Sequence, residues 1–243
     1  MTVKYEDMLL HEFREAVSAV PVAYIPCGLL EWHSSHLPLG IDGLKIEELG
    51  RRIAEVRGGV VFPPVYVGAP GFTGYEGTIT YRPSTVRQVF AETFGELIKV
   101  GFKVIVAIGG HYGRGQQSAL MAAADMYKEH AGVAIWVLNE ADVVADEGIR
   151  GDHAGPWETS MALELCGHLV DLPRFVPGKQ ELNRYVIPTR DDGMECEYRQ
   201  SDFRIDADLR AELDPDVIRR QVALVAERIG NRAMELLATV VAQ

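Results

Sequence analysis

Thiols are scarce in this chain, and so are basic residues and long apolar runs. Three cysteines occur among 243 residues, at Cys27, Cys166 and Cys196, an odd number without a CxxC pair. This pattern indicates neither a framework of disulfides nor a zinc site built from thiolates. It favours a reducing compartment.

Positive charge is outnumbered as well: 24 Lys and Arg stand against 35 Asp and Glu, for a formal net charge of -11. Without a basic run, nucleic acid is not an expected partner. No segment stays apolar for the length that a bilayer requires, and residues 1–14 lack the apolar core of a secretion signal. We therefore expect a cytoplasmic protein that binds a small molecule rather than nucleic acid or a membrane.

The pattern of apolar residues predicts the fold class. Hydrophobic residues form 47% of the chain, and its length suits a single domain over residues 1–243. Strands are predicted at residues 20–27, 60–67, 103–108 and 133–138. Helices are predicted at residues 43–56, 84–100, 114–130, from about 156, and at 215–241. Nearly continuous apolar strands that alternate with helices indicate an α/β fold, with a mostly parallel central sheet between two helical layers.

Two carboxylates and two imidazoles crowd the short stretch from Glu31 to Asp42, just after the first predicted strand. If the backbone stays extended, alternate side chains leave the same face, so Glu31 and His33 converge and a divalent cation can join them. Asp42 arrives across a loop that Pro38 and Gly40 bend. Its carboxylate can bridge two ions.

Two more clusters follow predicted strands or strand-like segments. The Gly109-Gly110 pair allows a tight turn that presents His111 at a strand end, and Glu158 falls in the first turn of a helix, where the dipole favours an acid. Ligands of parallel sheets bind beyond the carboxyl ends of the strands, so we expect these residues to meet Glu31 and Asp42. Oxygen and nitrogen donors without a thiolate suit zinc, manganese or iron(II).

Each of these residues also has an ordinary structural interpretation. A lone histidine on an apolar strand is usually a satisfied structural residue, Glu158 can be a plain helix acid, and Asp42 can cap the next helix. A non-catalytic binder of phosphate or of another small molecule would use four glycines as a backbone cradle: Gly109, Gly110, Gly113 and Gly115. That alternative leaves Glu31 and His33 unexplained.

Together the three clusters resemble the creatininase family of metal-dependent amidohydrolases, over roughly residues 24–162. The family pattern E-x-H followed by a metal-bridging Asp is similar to Glu31, His33 and Asp42. Its glycine-preceded metal histidine resembles His111, and its HAGxxETS segment resembles residues 153–160. A weaker likeness joins Glu-Gly-Thr-Ile at residues 76–79 to the Pro-Gly-Thr-Ile of relatives.

The resemblance implies two divalent ions that hold a hydroxide and hydrolyse the C-N bond of a small amide, formamide or cyclic amide. The implied ligands form two sets that share one residue: Glu31, Asp42 and His111 for one ion, and His33, Asp42 and Glu158 for the other. Two residues are assigned to catalysis, His153 as the carrier of a proton from the attacking water to the leaving nitrogen, and Glu158. The family also implies a homo-oligomer, with a hexamer as the expected form.

Substrate contacts are expected from four residues: Thr78, Tyr112, Arg150 and Trp157. Two departures from the family pattern matter. Creatininase has a glutamate where this chain has Gly113, so one ion should be more open or more weakly held, and a member that has lost activity is an alternative. A Trp-Asp pair that grips creatinine is Ile149-Arg150 here, so creatinine is a doubtful substrate. Residues 180–208 are irregular and are interpreted as a lid, an oligomer contact or plain surface.

Overall fold

The central sheet has four parallel strands. The computed structural model describes residues 2–179 and 203–242. Its strands lie in the order β2-β1-β3-β4 and have these bounds: β1 Val22–Cys27, β2 Val60–Val61, β3 Val104–Gly109 and β4 Ala134–Asn139. Cys27 pairs with Gly109, and Gly109 pairs with Asn139, so three strands end level at one edge.

Seven α-helices accompany the sheet in the part of the chain that the structure describes. Their bounds are α1 Leu10–Ala19, α2 Ile41–Arg57, α3 Pro83–Lys99, α4 Arg114–Ala124, α5 Pro156–Cys166, α6 Leu209–Glu212 and α7 Pro215–Val241. Proline at the first position of α3, α5 and α7 fixes φ for a helix start without the loss of a needed donor. A 3-10 helix, Glu140–Glu147, follows β4 directly.

Helices cover both faces of the sheet because its strands are apolar on both sides. Val22 and Tyr24 of β1 pack into one buried cluster with α2, α5 and α7. Ala23 and Ile25 of the same strand face a second cluster, to which α3 and α4 contribute, with α1 at its margin. Side chains alternate across a strand, so each face supplies half of the core. The prediction of an α/β fold with three layers is confirmed.

Two elements are shorter than their sequence patterns indicate. The strand predicted at residues 60–67 ends at Val61, with a single later bridge between Cys27 and Val65. Pro63 and Pro64 interrupt it, since proline has no N–H to donate to the ladder. The helix predicted at residues 114–130 ends at Ala124, and a 3-10 turn, Asp125–Tyr127, continues it.

The irregular stretch that begins at residue 180 lies largely outside the described residues. On either side of it, β5 Gly178–Lys179 pairs antiparallel with β6 Arg204–Ile205. Cys27 and Cys166 are buried and free, whereas Cys196 lies outside the described residues. Among the described helices, none is long and apolar enough to cross a membrane.

Candidate metal centre

Glu31 and His33 lie just beyond β1, on a segment that is held extended without being part of the sheet. Leu30 forms an antiparallel bridge with Ile79, and the N–H of Glu31 donates to the carbonyl of Leu39 at 2.8 Å. The side chains of Glu31 and His33 are both buried. The segment is therefore not the predicted extension of strand β1. One bridge and one backbone hydrogen bond hold it instead, and both side chains lie near the ends of β1 and β3.

Asp42 comes from the first turn of α2. Gly40 is the residue before that helix, so Asp42 lies inside it and does not cap it. Its Oδ2 accepts a hydrogen bond from the N–H of Leu29 at 3.2 Å, which fixes the carboxylate at the end of β1. A Cβ on Gly110 would stand 2.1 Å from the carbonyl oxygen of Asp42, so only glycine lets β3 come this close to α2.

The space beside the other glycines of the proposed phosphate cradle is also filled by protein atoms. A Cβ on Gly109 would meet Asn139 at 2.4 Å, one on Gly113 would meet His111 at 2.4 Å, and one on Gly115 would meet Pro70 at 2.7 Å. These glycines let neighbouring protein segments approach one another closely.

Two overlapping groups of donors meet around Asp42. In the first site, His111 Nδ1 lies 3.1 Å from Glu31 Oε2 and 3.5 Å from Asp42 Oδ2. In the second site, His33 Nε2 lies 3.0 Å from Asp42 Oδ1 and 3.3 Å from Glu158 Oε2. The donor atoms of each site lie within 4.8 Å of one another. Asp42 thus offers one oxygen to each site.

Three histidines of this cluster share one arrangement. In each ring one nitrogen faces a main-chain carbonyl: His33 Nδ1 faces Glu31 O at 2.9 Å, His153 Nε2 faces Trp32 O at 2.7 Å, and His111 Nε2 faces Pro70 O. A carbonyl can only accept, so that nitrogen carries the proton in the neutral ring. The opposite nitrogen presents its lone pair to the carboxylates, which is the usual orientation of a metal-binding histidine.

Lone pairs therefore face one another inside the cluster. With the rings neutral, Glu31 Oε2, His33 Nε2 and Asp42 Oδ1 are buried and have no hydrogen-bond partner. Glu31 Oε1, in contrast, accepts the N–H of Phe72, and Glu158 Oε2 accepts that of Ala154 at 2.8 Å. Buried polar atoms without a partner are costly, and a divalent cation would satisfy several at once. The donor set of oxygen and imidazole nitrogen fits zinc, manganese or iron(II).

The charges of the cluster shift its pKa values strongly. Burial lowers the pKa of His33 and His111, but neighbouring carboxylates outweigh burial, holding the pKa of His33 well above its ordinary value and raising that of His111 to about 10. For Asp42, burial alone would raise the pKa. The nearby His33 and His111 have the larger effect and hold this pKa far below the usual range. The site attracts cations, whether protons or metal ions.

His153 lies at the margin of the cluster. Its Nδ1 is 3.8 Å from Glu31 Oε2, its ring stacks on Phe72 with centroids 3.8 Å apart, and its side chain is 15% exposed. Burial, with the nearby charge of His33, lowers its pKa to about 4. It belongs to a third group of donors, Glu31, His33 and His153, which the sequence patterns did not suggest.

Tyr112 and Thr78 lie near the cluster with their hydroxyls already engaged. Tyr112 donates its hydroxyl proton to Glu140 Oε1, and Thr78 Oγ1 accepts the N–H of Trp32 at 3.0 Å. Thr78 thus holds the backbone between Glu31 and His33. Contacts of either residue with a substrate stay a prediction.

The structure does not bring Arg150 and Trp157 to the ligands. Arg150 donates to the carbonyls of Ala145 and Ile149 at 2.7 and 2.6 Å. With Trp157 it lines a cleft of about 380 Å³ against the start of α7, and among the described residues that cleft includes no candidate ligand. Their predicted substrate contacts remain untested.

Two charged residues of the site escaped the sequence patterns. Lys45 is completely buried, and its Nζ binds Glu158 Oε1 and lies 3.5 Å from Glu140 Oε1. Glu140 follows β4, so the rule about strand ends could have identified it. Lys45 had a weaker signal: three positions after Asp42 it shares that residue's helical face, where the dipole disfavours a cation.

Aromatic side chains surround His153. Trp32 stacks on Tyr75 with centroids 3.9 Å apart, and Phe203 lies 4.9 Å from Phe72 and 5.5 Å from His153. We call Trp32, Phe72, Tyr75 and Phe203 the aromatic wall.

Comparison with known sequences gives one family over most of the chain. The sequence model of the family Creatininase, described as creatinine amidohydrolase, matches residues 6–203. A creatinine amidohydrolase of Pseudomonas putida is 28% identical over 179 residues, 64% of this chain and 68% of that protein. A mycofactocin precursor peptide peptidase of Mycolicibacterium smegmatis is 29% identical over 187 residues, 68% of this chain and 70% of that protein.

Solved structures of creatininase share the fold. One named for its Mn aligns with a TM-score of 0.77 at 22% identity, over 97% of this chain and 98% of that one. A mutant form named as Zn-Zn type aligns with a TM-score of 0.76 at 23% identity, with the same coverage. At this identity the likeness establishes the fold.

Proposed function

Because this chain belongs to the creatininase family, we propose that it is a binuclear metal-dependent amidohydrolase. Its reaction is the cleavage of a C-N bond in a small amide, formamide or cyclic amide. The observation that carries the proposal is the pair of donor groups joined by Asp42, in which buried lone pairs face one another without a partner.

The ligand roles follow the two donor groups. Glu31, Asp42 and His111 would hold one ion in the first site. His33, Asp42 and Glu158 would hold the other in the second site. Two divalent ions there would lower the pKa of a water molecule and neutralise negative charge that develops on a carbonyl oxygen.

His153 is the residue we assign to proton transfer. It is the most exposed of the three cluster histidines, and with a pKa of about 4 it is neutral near pH 7. Its N–H is held by the carbonyl of Trp32, so Nδ1 is free to accept a proton on the side of Glu31. A positioned base of this kind can take a proton from water and pass it to a leaving nitrogen. Glu158 would contribute to catalysis by holding the second ion together with His33 and Asp42.

The surroundings of His153 bound the substrate class. Glu31, Asp42 and Glu158 are almost completely buried, so the scissile bond approaches from the side of His153. There the partly exposed rings of Trp32 and Phe203 in the aromatic wall offer apolar, flat surfaces that suit a planar amide or a ring. A small neutral or cationic substrate also matches the negative net charge.

Metal analysis of the purified protein tests this function directly. We expect close to two divalent ions per chain and loss of hydrolysis of an amide panel after chelation, with recovery when Zn²⁺ or Mn²⁺ is restored. Glu31→Gln and His111→Ala should fold but retain less metal at the first site, because each loses a donor aimed at the ion.

His36→Ala is the matched control. His36 is as buried as His33, but its Nε2 bonds Thr159 Oγ1 at 2.9 Å and it joins none of the donor groups found among the described residues. This variant should lose stability and keep its metal. A wild-type protein without stoichiometric metal, unchanged in stability by chelation, would refute the proposed function.

A further inference from the structure

Lys45 is a fixed cation inside the candidate metal centre. Its side chain is fully buried, and its ammonium contacts Glu158, a proposed ligand of the second site. We propose that Lys45 makes the two sites unequal, so that the first site fills at lower metal concentration and the second is held back by the lysine charge. This inference rests on the proposed pair of ions and goes beyond it.

The contacts of the two glutamate ligands carry this inference. Glu31 and Glu158 each direct one oxygen toward an ion and bind the protein with the other. The tether of Glu31 Oε1 is the neutral N–H of Phe72, whereas that of Glu158 Oε1 is the ammonium of Lys45. Glu158 can therefore offer only Oε2 to the second site, and that oxygen also accepts the N–H of Ala154.

Electrostatics gives the difference its direction. Like charges a few ångströms apart in a buried, water-poor site interact strongly, so a divalent ion bound to Glu158 is repelled by Lys45. The first site lacks such a neighbour: among the described residues, Glu31 forms ion pairs only with His111 and His153. A histidine ring has a nitrogen that can itself bind an ion, whereas the ammonium of Lys45 has no lone pair to offer.

Glu140 moderates the effect of the lysine. Its Oε1 lies 3.5 Å from Lys45 Nζ and accepts the hydroxyl proton of Tyr112, and its Oε2 is buried without a hydrogen bond. The Tyr112 ring centroid stands 4.9 Å from the same ammonium. Lys45 is thus held by Glu140, Glu158 and Tyr112, and it cannot swing away when a metal ion enters.

Lys45 also has a role in the metal-free protein. Glu158 and Glu140 are both buried, and the ammonium of Lys45 is a positive charge beside both in the absence of an ion. We therefore infer that the chain folds before its second site is filled. Without the lysine, folding would depend on metal much more strongly.

Calorimetric titration of the metal-free full chain with Zn²⁺ or Mn²⁺ alone tests the proposal. Wild type should bind two ions with separate affinities. Lys45→Met should bind the weaker ion at least about tenfold more tightly and leave the tighter one nearly unchanged. Lys45→Arg keeps the charge and should retain the wild-type gap.

Glu140→Gln provides the opposite arm and guards against a Lys45→Met protein that does not fold. Loss of this carboxylate leaves more of the lysine charge uncompensated, so the weaker ion should bind still more weakly than in wild type. If the substitutions merely damaged the fold, both variants would bind the weaker ion less tightly. The proposal requires tighter binding in Lys45→Met and weaker binding in Glu140→Gln. The affinity for the weaker ion should be highest in Lys45→Met, intermediate in wild type and lowest in Glu140→Gln. Any other order overturns the proposal.

Thermal unfolding gives a second readout that does not depend on activity. Metal-free Lys45→Met should melt at a lower temperature than metal-free wild type, and saturating Zn²⁺ should narrow that difference. A wild type that binds no ion would instead refute the proposed function itself. Two tight ions of equal affinity in wild type would refute only the inequality of the sites.

Discussion

Single carboxylates in this protein take on different tasks through their two oxygens. Asp42 directs Oδ1 to His33 and Oδ2 to His111, so it belongs to both sites. Glu31 instead fixes one oxygen on a backbone amide and leaves the other without a partner. A donor that is already oriented loses little conformational freedom when it binds an ion, which favours affinity.

His153 carries the first prediction at this scale. His153→Asn should lower kcat about 10²- to 10⁴-fold on whichever amide the wild type hydrolyses best, because the base for proton transfer is missing. Metal content should stay the same, since neither of the two proposed sites uses this residue. Turnover assays together with metal analysis of the same preparation check both points.

The stacked neighbour of His153 offers a control. Phe72→Leu removes the ring that stacks on the imidazole but leaves its backbone N–H on Glu31. Metal content should again be unchanged, and activity should fall less than in His153→Asn. If His153→Asn lost an ion, His153 would be a ligand through the group Glu31, His33 and His153, and its role in proton transfer would be wrong.

At the scale of elements, the turn between β3 and α4 shows how packing constrains the site. Gly113 follows Tyr112, and any Cβ there would come within 2.4 Å of His111 Nε2 and 2.9 Å of Pro70 O. The glycine therefore gives the ring of His111 the room to reach the carbonyl of Pro70.

Gly113→Ala tests this packing. The added methyl group should push the His111 ring away from Pro70 and Glu31, so the first site should bind metal more weakly, by about tenfold or more. Titration with Zn²⁺ measures the change. Gly167→Ala is the control, because a Cβ at Gly167 meets nothing within 4 Å and its φ of -54° suits alanine. Equal metal affinity in both variants would contradict the proposed tightness around His111.

The start of α5 is a second element that orients a ligand. Asp152 accepts the N–H groups of Trp157 and Glu158 at 2.9 and 3.0 Å, so it satisfies the first turn of the helix. Ala154 adopts a left-handed conformation with φ of 50°, which turns its N–H toward Glu158. This backbone conformation is strained for a residue other than glycine. Such strain persists where the surrounding contacts hold the residue in place, and it is common at functional sites.

For the whole molecule, the candidate site joins segments that are distant in sequence. Four parts of the chain meet at one edge of the sheet: the loops after β1 and β3, helix α2 and helix α5. An ion held there would link these four segments. Binding to the folded state alone stabilises it by mass action. Metal removal should therefore be visible as a loss of global stability.

We expect free Zn²⁺ or Mn²⁺ at about 100 times the dissociation constant to raise the free energy of unfolding by about 2.7 kcal/mol per site. Denaturant unfolding with and without a chelator measures the difference. Glu31→Gln should show a smaller response to metal than wild type does. A response of equal size in the variant would mean that the stabilising ion binds elsewhere.

Several properties of the whole molecule stay predictions. They are the single domain over residues 1–243, the homo-oligomer of six chains, the cytoplasmic location and the role of residues 180–208. Size-exclusion chromatography with light scattering would decide the oligomer, because the expected hexamer is six times the 26.9 kDa of one chain.

The sequence by itself was sufficient for the layered α/β fold, the family and the residues that converge. Those features depend on local patterns: apolar runs predict strands, helical periods predict helices, and carboxyl ends of parallel strands lie at one edge. Glu31, His33 and Asp42 were recognisable because all three lie within one short stretch, and His111 and Glu158 because each follows a turn or opens a helix.

Only the tertiary structure decided how each donor is oriented and what surrounds it. Lys45 and Glu140 lie far apart in the chain, as do Gly113 and Pro70, and no spacing pattern relates such residues. Hydrogen bonds to carbonyls fix which histidine nitrogen faces the carboxylates, and close packing fixes which oxygen of Glu158 remains for an ion. Both depend on distances between separate segments, which arise only when the sheet and its helices have come together.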